Sequence, residues 1–274
     1  MNTTDPFAYI DGIEDASSID PLSKFLRIAI VGKPKTGKSW MAATVPGNVL
    51  HYDFDGRAAS LGMCEATKGR LYKVKTLRDL TQTSPTAMKA IEGDLSTFKS
   101  AKAQGLPIPD SFIFDSVTYM KVAMDNELMS QSSDVRRNIK LGLGKVFWIP
   151  KGWDAINGSR GYADYIFNEF SQLGNVIFVF HQRDEKDKAE STESKTAYTG
   201  RQTINPQFWD TILALFNEVF YIDVDQFSGE YKVYTKINED SSAATTLLLD
   251  SVEVPNITQM IEKHKAKLNQ IKGK

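Results

Sequence analysis

Eight consecutive residues carry the clearest chemistry in this chain. Gly32-Lys33-Pro34-Lys35-Thr36-Gly37-Lys38-Ser39 fits the pattern G-x-x-x-x-G-K-[ST] in full. Glycines at those two positions let consecutive backbone N–H groups curl toward one anion. A helix that starts there adds the favourable end of its dipole. Lys38 would then reach the β- and γ-phosphates of a nucleotide, and the Ser39 hydroxyl would ligate Mg²⁺. Trp40, the next residue, is counted with the nucleotide-contacting set. The expected cofactors are ATP and Mg²⁺.

A phosphate loop of this kind needs a carboxylate to hold the shell of the metal. It is expected at the end of an apolar strand neighbouring the first, and Ser111-Phe112-Ile113-Phe114-Asp115-Ser116 supplies Asp115 in that setting. Hydrolysis also needs a group that orients or deprotonates water. In His51-Tyr52-Asp53-Phe54-Asp55-Gly56 the two aspartates alternate with aromatic residues, so both address one side of the strand end. Asp55 lies nearer the loop and is the candidate base; a carboxylate here could instead bind Mg²⁺ or a substrate hydroxyl. A further apolar run ends Phe178-Val179-Phe180-His181-Gln182-Arg183. His181 or Gln182 is placed to sense the γ-phosphate, and the sequence does not choose between them.

These residues need a frame. Apolar, β-branched runs recur at Phe25–Val31, Val49–Phe54, Phe112–Phe114, Val176–Phe180 and Val219–Val224. Stretches with helical periodicity lie between them, at Gly37–Val45, Ser116–Met129, Tyr162–Leu173 and Pro206–Asn217. Strands alternating with helices predict an α/β fold, a mostly parallel sheet with helices on both faces. Tyr231–Ile237 alternates polar and apolar residues after a Ser228-Gly229 turn and predicts a late antiparallel edge against Val219–Val224. Leu143–Arg160 and Arg183–Asn205 read as long loops. The expected organisation is an N-terminal arm over 1–24, a core over 25–250 and a C-terminal basic helix or tail over 251–274.

Composition narrows the class. The chain has 274 residues, enough for a large core without disulfides. Its single cysteine, Cys64, rules out an internal disulfide, and three scattered histidines argue against a zinc site. A net charge of −1 excludes a uniformly basic nucleic-acid coat but leaves room for a local basic groove. No run is long and apolar enough to span a membrane, and the N-terminus lacks a signal pattern, so a cytoplasmic protein with no membrane partner is expected.

Taken in order, Gly32–Ser39, Tyr52-Asp53-Phe54-Asp55, Phe112-Ile113-Phe114-Asp115-Ser116 and Val176–Gln182 resemble the core of RecA-like P-loop ATPases. More closely, they resemble the phage-encoded RecA-like NTP-binding proteins that act as single-strand annealing or recombination proteins. The resemblance implies the RecA-like fold, ATP-dependent binding of single-stranded DNA in recombination or replication, and assembly into rings or filaments. A single-strand-binding protein is a further implied partner. In that group a glutamate follows the second strand; Asp55 stands here and is shorter, which implies slow hydrolysis. The first DNA loop would fall on residues 131–160, where Arg136, Arg137, Lys140, Lys145 and Lys151 interleave with Phe147, Trp148 and Trp153. The second would begin at Arg183. Lys236, or else Arg201, would be the residue that reaches the γ-phosphate of a neighbouring subunit.

Three rival readings share the phosphate loop. A small-molecule kinase would use Asp53 and Asp55 to hold an acceptor, but an Arg-rich lid is missing from the pattern. A non-catalytic nucleotide-gated module draws on the shortened Asp55, and a packaging or helicase motor is the third.

Overall fold

The computed structural model describes residues 19–79, 85–131, 153–183, 201–202, 212–225, 227–237 and 243–272. The strands are β1 (Arg27–Gly32), β2 (Val49–Asp53), β3 (Tyr72–Thr76), β4 (Ser111–Asp115), β5 (Asn175–Arg183), β6 (Arg201–Gln202), β7 (Glu218–Val224), β8 (Tyr231–Tyr234) and β9 (Val252–Glu253). The helices are α1 (Lys38–Ala43), α2 (Ala87–Ala103), α3 (Val117–Gln131), α4 (Trp153–Ser171) and α5 (Ile257–Lys272), and short 3-10 turns follow β2 at Ala58–Met63 and Glu65–Thr67.

Eight strands form one sheet in the order β3-β2-β4-β5-β1-β7-β8-β9, and the short β6 pairs with the end of β5. The six strands from β3 to β7 are parallel, whereas β8 and β9 close the sheet antiparallel. This is the α/β architecture expected, a mostly parallel sheet with helices on both faces, late antiparallel edge included. Central strands are buried on both faces and so read as unbroken apolar runs. Alternation sends Ala29 and Val31 of β1 to one side of the sheet and Ile28 and Ile30 to the other. The first side packs on α2, α3 and α4 through Met88, Ile91, Met120, Phe167 and Phe170. The second packs on α1 and α5 through Met41, Val45, Ile257 and Met260.

Some expectations need correction. Residues 153–160 are helical, the first turns of α4, where a loop was expected. Gly158 and Gly161 weaken local helix preference, but Ala163, Ile166, Phe167 and Phe170 of the same helix are fully buried, and that packing overrides it. Asp115 does not end a strand next to β1: β5 lies between β4 and β1. Edge strand β3 and helix α2 had no counterpart in the expected elements.

Candidate functional site

The site forms at the carboxyl ends of β1, β2, β4 and β5, which is where open parallel sheets place their ligands. Register brings them level: Gly32 pairs with His181, Asp53 with Asp115, and Asp115 with Val179. The Asp115 carbonyl also accepts the Phe54 N–H at 2.7 Å and ties the ends of β2 and β4 together.

The phosphate loop leaves β1 at Gly32 and enters α1 at Lys38. Gly32 has no room for a side chain, because the Ile222 carbonyl of β7 occupies the place of a Cβ. Gly37 sits at φ 83°, in the left-handed region that favours glycine, with the Tyr231 ring packed against it. Thr36 Oγ1 donates to the Lys33 carbonyl at 2.9 Å, and Lys38 Nζ bends back to the same carbonyl. Burial pulls the Lys38 pKa down from 10.5 to about 8, although Asp115 and Asp55 pull the other way. Ser39 Oγ donates to Asp115 Oδ2 at 2.5 Å. The two groups expected at a metal therefore meet directly. That contact is the fit between this chain and Mg²⁺, an ion that takes one or two carboxylates and completes its shell with phosphates and water. Among the described residues, no group of three or more His, Cys, Asp or Glu could chelate a metal by itself.

Asp53 and Asp55 sit side by side with different duties. Asp53 is 3% exposed and accepts N–H bonds from Gly56, Arg57 and Ala58 at 2.8, 3.2 and 3.0 Å, so it shapes the turn after β2. Burial pushes its pKa up, aided by Asp55 and opposed by those N–H groups. Burial also acts upward on Asp55, but His181, Asp53 and Arg57 outweigh it and hold its carboxyl below the ordinary carboxylate range. His181 Nε2 lies 3.9 Å from Asp55 Oδ2. Of the two sensor candidates His181 lines the cleft, while Gln182 pairs with Gln202 of β6.

The cleft over these residues has a volume of about 630 Å³, in the range of small-molecule sites. Lys38, Ser39, Asp55, Asp115 and His181 line it. Trp40 and Thr44, Met63 and Cys64 after β2, and Pro255 and Asn256 before α5 line it as well. Sequence reasoning missed the last four of these. Only Pro255, just before a helix, carried a local signal, and it marked a helix start rather than a ligand.

Other expected positions lie elsewhere. Arg136, Arg137, Lys140, Lys145 and Lys151 fall outside the described residues. Arg183 and Arg201 pair across β5 and β6 through their backbones. Lys236 follows β8, exposed, at the antiparallel edge. Among the described residues no helix is long and apolar enough to cross a membrane.

A phosphate loop between a central parallel strand and its helix, with the loop serine bonded to a strand-end aspartate, defines a P-loop nucleotide-binding protein of α/β fold. Residues 24–247 match the family described as the AAA domain. The chain belongs to that family. No curated protein matches the chain. Among solved structures it is similar to the flagellar accessory protein FlaH from Methanocaldococcus jannaschii, at 11% identity and a TM-score of 0.37, over 86% of this chain and 90% of that one.

Proposed function

We propose that the protein binds and hydrolyses ATP with Mg²⁺ and couples the nucleotide state to single-stranded DNA, as an oligomer that promotes annealing or strand pairing in phage recombination or replication. The observation that carries the nucleotide reading is the Ser39–Asp115 bond in a cleft of about 630 Å³ that Lys38 also lines.

In this reading Lys38 and the loop N–H groups hold the phosphates. The base lies toward Met63, Cys64, Pro255 and Asn256. Ser39 and Asp115 would hold Mg²⁺, which when bound neutralises charge on the β- and γ-phosphate oxygens. Asp55 is ionised and lines the same cleft. It accepts a proton from water as the water oxygen bonds to the γ-phosphorus and the bond to the bridging oxygen breaks, leaving ADP and phosphate. A carboxylate held below its ordinary range is a weak base. Asp55 therefore works mainly by orienting the water, and turnover is slow. His181 couples the γ-phosphate to the carboxyl end of β5, which leads into the segment after Arg183.

The DNA part of the reading is supported by the basic and aromatic residues of 131–160, including Arg136 and Arg137, and by the sequence resemblance. A kinase is disfavoured because both Asp53 oxygens are engaged by backbone N–H groups and are not open to an acceptor. Two measurements test the proposal. Titration with Mg-ATP should release heat and raise the melting temperature. Labelled oligonucleotide should be retained on filters at low salt in the presence of Mg-ATP. Absence of the first overturns the nucleotide reading, absence of the second the DNA reading, and transfer of label from ATP to a nucleotide would favour the kinase.

A further inference from the structure

Behind Asp115 stands a line of polar side chains that the chemistry above does not use. His51 of β2 is 1% exposed. Its Nδ1 lies 2.7 Å from the Tyr72 hydroxyl of β3. Its Nε2 lies 3.6 Å from Asp115 Oδ2, the same oxygen that Ser39 addresses. Burial and the charge of Asp115 push the Tyr72 pKa well above its usual value, so the phenol keeps its proton. A carboxylate only accepts, and the tautomer that suits both neighbours puts the proton on Nε2 and lets Tyr72 donate to Nδ1.

Tyr72 is itself held. The Arg70 guanidinium packs over its ring, 5.3 Å from the centroid. Arg70 also donates to the carbonyls of Ala43, Val45 and Gly47, at and just beyond the end of α1. The line thus runs from the C-terminal end of the phosphate-loop helix, through Arg70, Tyr72 and His51, to Asp115 and back to Ser39 at its N-terminal end.

We propose that His51, oriented by Tyr72, is a positioning residue for the Mg²⁺ site. The inference rests on the nucleotide reading above. A buried carboxylate with one hydroxyl partner can still rotate about its last torsion. An Nε2–H edge facing the same oxygen from 3.6 Å, longer than an ordinary hydrogen bond, restricts that rotation by charge and packing. Outer partners of this kind commonly set metal affinity by roughly 10- to 100-fold when removed. A histidine that merely fills the core would leave metal affinity alone.

The test uses the full chain with the non-hydrolysable analogue AMP-PNP. Mn²⁺ binding to the nucleotide complex is read by electron paramagnetic resonance, nucleotide binding in EDTA by calorimetry, and folding by melting temperature. His51→Leu should weaken Mn²⁺ binding about tenfold or more, with metal-free AMP-PNP binding unchanged. His51→Gln, which keeps an N–H donor, should recover part of the loss. Tyr72→Phe should show a smaller loss of the same kind, and these two variants carry the test if His51→Leu does not fold. Wild-type Mn²⁺ affinity in all three variants, or equal losses with and without metal, would overturn the inference while the nucleotide reading stands. Wild-type protein that binds no AMP-PNP would overturn both.

Discussion

Lys38 sets function against stability, and the conflict can be measured. The residue is 4% exposed, and burial lowers its pKa from 10.5 to about 8. At pH 7 the group is still charged, and holding that charge in the fold costs about 3 kcal/mol by the free energy of such a displacement. Lys38→Met keeps the length of the side chain and removes the charge. It also leaves the Lys33 carbonyl without this donor, a loss of about 1 kcal/mol. The variant without nucleotide should therefore be about 2 kcal/mol more stable at pH 7, and melt roughly 5 °C higher for a domain of this size. The sign follows from counting protons. Between pH 8 and 10.5 the unfolded chain holds a proton on this lysine that the folded chain has released. Wild-type stability from this group then rises with pH across that window, and the advantage of the variant, complete below pH 8, is gone by 10.5. Nucleotide acts in the opposite direction. Losing a charge-assisted bond to phosphate costs about 1.5–3 kcal/mol, or roughly 10- to 150-fold in affinity. Scanning fluorimetry at pH 7 and pH 10, with and without Mg-ATP, measures all of this. A variant that melts below wild type at pH 7 without ligand, or keeps the full ATP-induced shift, would refute the reasoning.

Further outcomes follow from other contacts. Ser39→Ala and Asp115→Asn should each lower Mg²⁺-dependent ATP affinity by about tenfold and turnover by more, with metal-free affinity intact; calorimetry with and without EDTA checks this. Gly32→Ala drives a methyl into the Ile222 carbonyl and should destabilise by about 1–3 kcal/mol, read from the urea midpoint. His181→Asn should leave Mg-ATP affinity near wild type but slow turnover, a split between kcat and KM that an ATPase assay resolves. Arg136→Ala with Arg137→Ala should reduce the salt slope of single-stranded DNA binding by about 1.4, at 0.7 per phosphate contact.

The core strands were legible because they are buried on both faces. Ile28–Val31, Phe112–Phe114 and Val176–Phe180 leave no polar position to blur the run. Edge strand β3 was not legible for the opposite reason. In Tyr72-Lys73-Val74-Lys75-Thr76 no residue is fully buried, and the lysines, which also discourage edge pairing, hide the strand among polar residues. Helix α2 buries only Ala87, Met88, Ile91 and Leu95 along its 17 residues, too thin a stripe to stand out among its lysines and polar residues. The start of α4 was hidden by glycines, whose local cost is overruled by contacts that are distant in sequence.

The site divides along the same line. Lys38, Ser39, Asp55, Asp115 and His181 each lie where an apolar strand ends or just beyond it, and a sequence shows strand ends well. Parallel strands must release their carboxyl ends on one side of the sheet, so reading four ends separately was enough to bring five side chains together. What the sequence did not show was which strands are neighbours. Asp115 reaches Ser39 across β5, not from beside β1, and His181 of β5 thereby comes to stand opposite Asp55. The other lining residues, Met63 and Cys64 after β2 and Pro255 and Asn256 before α5, come from turns almost 200 residues apart that meet only because α1 and α5 share one face of the sheet. His51 is the instructive case between these. Within a strand of large side chains it reads as core, and it is core by burial. Only the pairing of β2 with both β3 and β4 gives it a hydroxyl on one ring nitrogen and a carboxylate near the other. A function for His51 thus depends on strand order, and strand order is the property that local sequence encodes least.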